Sequence, residues 1–553
     1  MTFIPFTHPC RAFARVFPRW LAPALALGAC TGPASRDAGG GPPLHAAAQC
    51  ARGSEAPVRD GAGGFTCTRV GALGTPAAGV YGDLSAAASP VVYVSPGSAT
   101  GDGSMARPFG TIAEALAAQP AAATIALARG THVVGPMAVT LPSAVSIVGA
   151  GSSSGTTVVG SMDGDVFAIT ATSGELRFTA LRIERSSTMP GTRGAAIVVH
   201  TAARLVVRDV VIVGGYQGLR GEAGASLDVQ DATVTDTAFA GVALLSGATG
   251  LFRSLDVARS GGVGLVAQDA VVDLGASRLS SNARGGAAVY GGVAGTMHTI
   301  ARSVLDANGV VALRLEQAPS GSVARVQLTR VSLSGTTVVP GLPGGDGLYV
   351  GPGSSATADM DLTGDVNQGH GSLLAGNGRT GILVAALPGA PATLALNAAL
   401  VGSNAAAGVF LQDGARAEVL QYSSIDDNTA LGVGVAGNST VGIFLCNGVT
   451  ATRAGTLVTE TARLELGDGL AMSEGSMATT VVGNVFSNNG RFGAVFADAP
   501  ATLMRNTGSG NQYGVGNYGT RRATVDGTNQ ITGATSAPDV APVTVRGTIA
   551  ALQ

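Results

Sequence analysis

The first residues whose types and spacing suit chemistry lie in ADMDLTGDVN, which carries Asp359, Asp361 and Asp365. Asp359 and Asp361 are two apart on an expected strand, so both project from one face. Two such carboxylates could hold Ca2+ if a third ligand came from an adjacent segment. Pairs of this kind are also common on solvated strand faces. His370 stands between Gly369 and Gly371, where a histidine either carries a proton or simply occupies a turn. Asp426 and Asp427 are the one directly adjacent carboxylate pair nearby, and Arg325 and Arg379 are the nearest candidate bases. A Pro/Gly-rich insertion, TTVVPGLPGGDGLYV at 336–350, ends on Tyr349, a ring of the kind that stacks on sugars. Its GGDG is too short to be a calcium-binding repeat. The candidates are therefore Asp359, Asp361 and His370. They make no complete catalytic or metal set, and Ca2+ is the only cofactor they suit.

The elements that would hold these residues follow from composition. The chain has 553 residues, 83 of them Gly, with 4% aromatic and 12% charged residues. A deep globular core of that length needs more aromatic bulk. Val, Ala, Leu and Ile between regular glycines suit a thin continuous core, as in a solenoid. All 33 basic residues are arginine, which excludes any mechanism that needs lysine. Net charge is −2 with the arginines scattered, so no nucleic-acid partner is expected. No downstream segment offers about twenty uninterrupted apolar residues, so no membrane span is expected there.

Self-similarity decides the architecture. Asn followed by Gly four residues later recurs at Asn282, Asn377, Asn404, Asn428 and Asn489, and each Gly opens a short apolar strand such as GILVAAL or GVFLQDG. The same opening recurs without Asn at Gly194, Gly218, Gly241 and Gly264. Strands with period two, separated by tight turns every twenty-odd residues, predict stacked coils. Stacking would bring equivalent Asn side chains within about 4.8 Å, close enough to hydrogen-bond as a ladder. Such units are too short for a propeller blade, which needs about forty residues. The expected fold is all-β: a right-handed parallel β-helix of about thirteen coils over 124–545. A cap at 91–123 precedes it, containing a short helix with Thr111 as N-cap and Glu114 completing a capping box.

The N-terminus has its own signals. Arg11, Arg15 and Arg19 precede the apolar run LAPALALGA, which is too short to span a bilayer and is expected to direct export. It ends in Leu27-Gly28-Ala29-Cys30. Residues 1–29 are thus expected as a signal peptide and 30–90 as a flexible Gly/Ala/Pro-rich tether. An oxidising compartment would let Cys50 and Cys67 close a small loop within it. Cys446, in the run GIFLCNG, is expected as a buried, unreactive thiol.

Two resemblances add to this reading. Leu27-Gly28-Ala29-Cys30 resembles the lipobox of bacterial lipoproteins, which implies acylation of Cys30; Thr31 after it implies the outer membrane. The block Tyr93-Val94-Ser95-Pro96, Asp102-Gly103, Pro108-Phe109-x-Thr111-Ile112 and Ala115-Leu116 resembles the opening of pectate-lyase-like secreted β-helix proteins, including a subgroup of bacterial surface lipoproteins. That likeness implies fold and secretion. Gly369-His370-Gly371 is similar to the GHG tripeptide of polygalacturonases, but the carboxylate pair they place upstream is missing here. The implied function is a lipid-anchored cell-surface β-helix protein that binds polysaccharide or another surface component without turnover. The alternative is a polysaccharide lyase or glycoside hydrolase acting on acidic polysaccharide.

Overall fold

The computed structural model describes residues 50, 54–59, 65–76, 79–99, 101–118, 123–134, 139–141, 145–160, 164–170, 175–185, 194–222, 224–358, 371–539, 543–545 and 547–550. The body is a right-handed parallel β-helix of about sixteen coils. One wall, the front sheet, contains fifteen parallel strands running from Val139–Leu141 to Tyr513–Tyr518. The other two walls pair as one network because strands such as Arg204–Val213 continue through the corner between them. At about 4.8 Å per coil the column is on the order of 75 Å long. Glycine-opened units suggested thirteen coils. The extra ones come from the start, where Phe167–Ile169 and Val139–Leu141 join the front sheet without that opening, and Val91–Val94 already pairs in parallel with Thr124–Leu127.

Inward residues of every wall merge into one buried column, from Val92 and Val94 through Ile183, Leu313 and Val384 to Phe496 and Leu503. Its upper end is closed by the helix Ile112–Ala118, whose Ile112 and Ala115 are buried. Its capping box forms: the Glu114 N–H donates to Thr111 Oγ1 at 3.1 Å, and Glu114 Oε2 accepts the Thr111 N–H at 3.0 Å.

The asparagines stack inside the corners. Asn377 Nδ2 donates to Asn404 Oδ1 at 2.9 Å, and Asn404 Nδ2 to Asn428 Oδ1 at 2.9 Å. Asn282 is joined to Asn308 and Asn489 to Asn511 in the same way. Thr336 and Thr452 occupy the intervening coils, each with a buried hydroxyl that has no hydrogen-bond partner among the described residues. Asparagine tolerates positive φ better than most residues. That conformation instead belongs to the residue before it, such as Ser281 (φ 55), Ser403 (φ 53) or Asp427 (φ 53). This leaves the amide free to point inward and satisfy corner backbone groups. A second ladder, Asn447–Asn484–Asn506–Asn529, lines another corner.

The segment expected as a loose tether is docked where it is described. Cys50 and Cys67 are disulfide-bonded, with Cα atoms 5.6 Å apart. Glu55–Arg59 and Phe65–Arg69 form an antiparallel hairpin whose Ala56 and Val58 pack with Val304. From there the chain runs back along the corner between the two rear walls. Gly71 N–H donates to the Ser254 carbonyl at 2.8 Å, Ala72 N–H to Thr233 Oγ1 at 2.9 Å, and Gly74 N–H to Asp209 Oδ1 at 3.2 Å. Backbone bonding to corner residues favours small side chains, so the same Gly/Ala/Pro composition serves a strap as well as a tether. Cys446 is buried.

Candidate functional site

Asp359, Asp361, Asp365 and His370 lie outside the described residues, as does Cys30. Their companions can be placed. Arg379 is no free base: its guanidinium grips Asp346 and donates to the Ala550 carbonyl at 2.6 Å. Asp427 sits at a corner, taking Ser403 Oγ at 3.0 Å and Arg453 at 3.1 Å. Tyr349 does not stack on ligand. It is 1% exposed, and burial pushes its hydroxyl pKa up to about 12. The 336–350 insertion leaves 337, 338 and 340–342 exposed, while Val339 packs against the cluster that holds Tyr349.

A different constellation lies on the outer face of the front sheet. Strand pairing sets Arg220, Ala243, Val266, Ala288 and Arg314 in one row across successive coils, spanning about 19 Å. At one end, Arg220 ion-pairs with Glu222 at 2.8 Å and reaches Gln217 Oε1 at 3.4 Å, while Glu222 also contacts His200 Nδ1 at 3.0 Å. At the other, Arg314 holds Glu316 through both oxygens at 2.9 and 2.8 Å and lies 5.6 Å from the Tyr290 ring centroid. Burial raises the Glu316 carboxyl pKa against the pull of Arg314, and it raises that of the Tyr290 phenol. Small side chains floor the gap between these two nodes.

Beside the first node, Tyr216 and Phe239 stack face to face, with centroids 5.0 Å apart and planes 5° from parallel. Tyr216 and Phe239 immediately precede the strands Gln217–Gly221 and Ala240–Leu245, so the corner holds both rings at the sheet edge. Phe239 is 42% exposed, which leaves an aromatic surface facing solvent at the edge where the strand opens with Gln217. Such a platform with adjoining polar groups can stack an apolar ring face and hydrogen-bond its substituents. Both glutamates are engaged by cations, so this face is built to hold ion pairs and present hydrogen-bonding groups.

These residues were missed although a signal existed. Aligning the coils on Gly218, Gly241, Gly264, Gly286 and Ala312, which follows Asn308 by four, puts Arg220 and Arg314 two residues beyond the aligned position and hence in one outward row. Clustered acids stand out in a linear sequence, whereas this site is assembled from residues spaced a coil apart.

No protein-family model and no curated protein matches this sequence. Among solved structures, the A-module of the Azotobacter vinelandii mannuronan C-5 epimerase AlgE6 is similar at 14% identity over 78% of this chain and 95% of that one, with a TM-score of 0.27. Tailspike protein 3 of bacteriophage CBA120 matches at 14% identity over 72% of this chain and 58% of that one, with a TM-score of 0.35. Pectate lyase Pel9A matches at 11% over 81% of each chain, with a TM-score of 0.23. At these scores the likenesses carry no argument about activity. The chain's own parallel coils define it as a right-handed parallel β-helix.

Proposed function

We propose that this chain is an exported protein, held at a bacterial cell surface through Cys30, that binds polysaccharide on its front sheet without cleaving it. The observation carrying the binding reading is the solvent-facing Tyr216–Phe239 platform at the sheet edge where Gln217 opens the strand that bears Arg220. Aromatic stacking supplies affinity for the apolar face of a sugar ring, and the polar row supplies orientation. An extended chain suits a site whose second node, at Arg314, lies four coils away. The sequence Leu27-Gly28-Ala29-Cys30 after a short apolar run supports the attachment.

The test is affinity electrophoresis against a panel of neutral and acidic polysaccharides, comparing the natural chain with Tyr216→Ala/Phe239→Ala. The double variant is expected to bind about tenfold or more weakly while melting normally, since stacking is worth roughly 0.5–1.5 kcal/mol per ring beyond its area. Undiminished binding by the double variant would sink the platform. Release of new reducing ends or unsaturated products by the natural chain would instead establish the lyase or hydrolase alternative.

A further inference from the structure

The distal half of the front sheet carries a second core outside the column. Phe410, Leu431, Phe492 and Val495 point outward, yet none is more than 1% exposed. Two segments cover them. One is the antiparallel hairpin Gly455–Val458 with Arg463–Leu466, inserted within a coil. The other comprises residues 543–545 and 547–550, which run back down the rod across several coils.

The covering tail is held largely through its backbone. Gln412, 1% exposed, accepts the Ile549 N–H at 2.8 Å and donates to the Ile549 carbonyl at 2.9 Å, as a neighbouring strand would. Arg379 donates to the Ala550 carbonyl and Arg491 to the Val543 carbonyl, both at 2.6 Å. Ser473 Oγ donates to the Val545 carbonyl, and Glu474 accepts the Gly547 N–H at 3.2 Å. Both arginines are braced by carboxylates of the sheet itself, Asp346 and Asp468, so their direction does not depend on the tail. Among the described tail residues, two side chains are buried as apolar anchors, Val545 at 0% and Ile549 at 1%. Between them Gly547 has φ +72, and a Cβ there would lie 2.6 Å from Thr461 Oγ1 on the hairpin.

Fixed side chains that read backbone groups, with two apolar pockets four residues apart, are the components of a peptide-binding groove. We infer that the distal front sheet is a groove for an extended peptide of pattern apolar-x-Gly-x-apolar, filled in cis by residues 543–550, and that it exchanges this occupant for the same segment of a second copy. Residues 534–539, between the last strand and the tail, lie outside any strand and are mostly exposed, which gives the tail slack to cross over. Exchange makes no contact that the single chain lacks, so it opposes little beyond the entropy of association. This inference is independent of the polysaccharide reading.

The experiment uses the full chain with a protease site inserted between Thr535 and Ser536. After cleavage, a fluorescent peptide of residues 543–553 is titrated in, with circular dichroism monitoring the fold. The labelled peptide is expected to displace the cleaved segment saturably. A peptide carrying Ile549→Asp should bind about tenfold or more weakly. The uncut chain should form dimers at high concentration that dissociate on dilution. Collapse of the fold on cleavage, failure of the peptide to exchange, or equal binding of the Asp peptide would each overturn the groove. Peptide exchange without any dimer would overturn the second copy as its occupant.

Discussion

Single side chains inside the corners set much of the column's stability. Asn404 accepts from the N–H and Nδ2 of Asn377 and donates to Asn428 Oδ1 and the Leu374 carbonyl, with no exposed surface. Asn404→Ala strips partners from buried groups on two coils and should cost about 2–4 kcal/mol, read as a lower thermal midpoint. Thr452→Asn should do the reverse. It replaces an unpartnered buried hydroxyl with an amide able to continue the ladder, a gain of about 1 kcal/mol. If both variants melt like the natural chain, the ladder is ornamental. Buried histidines add pH dependence. His298 accepts the Val272 N–H on Nδ1 at 3.2 Å and donates from Nε2 to the Gly291 carbonyl at 2.9 Å, an arrangement that requires the neutral ring. Burial lowers its pKa below the ordinary 6.5, and the same holds for His132. The unfolded chain therefore takes up protons first, and stability falls as pH drops through 6.5. The melting temperature should be lower at pH 5 than at pH 7, and His298→Gln should narrow that difference.

Among elements, the strap along the rear corner has the most concentrated anchorage. Asp209, 4% exposed, accepts the Gly74 N–H, the Ser152 hydroxyl at 2.7 Å and the Thr75 hydroxyl. Asp209→Ala removes two contacts to the strap and one to Ser152 of another coil. The expected result is faster proteolytic cutting between residues 70 and 80 while the column stays folded; unchanged cutting would show that the hairpin alone holds the strap. The repeat made the coils legible in sequence because each strand opening obeys the same steric rule. A Cβ at Gly408, for example, would fall 2.6 Å from the Gly432 carbonyl and 2.7 Å from Asn428 Nδ2. The covering hairpin and strap were not legible. Their contacts run between segments tens to hundreds of residues apart, and no local pattern encodes that. The second ladder was in view, since Asn447, Asn484, Asn506 and Asn529 each open the strand after a corner, but it follows no Asn-to-Gly spacing.

Taken together, the coils form a three-sided column with separate duties for its sides. Its front carries the aromatic and ion-paired row proximally and the covered groove distally, whereas the strap occupies the corner opposite. Sequence patterning fixed the column because its inward residues repeat at every rung. It left the outward surface unread, because Tyr216, Phe239, Arg220 and Arg314 become neighbours only once register is known.

The strap also decides where force enters. The hairpin that bears Cys50 and Cys67 rests near mid-length, where the Arg278 guanidinium donates to the Glu55 carbonyl and Val58 meets Val304. A pull on residues ahead of Cys50 therefore loads the rod at its flank, like a line tied to the middle of a spar. Such a load must shear several rungs together, whereas tension on a terminal rung would unwind the column one turn at a time.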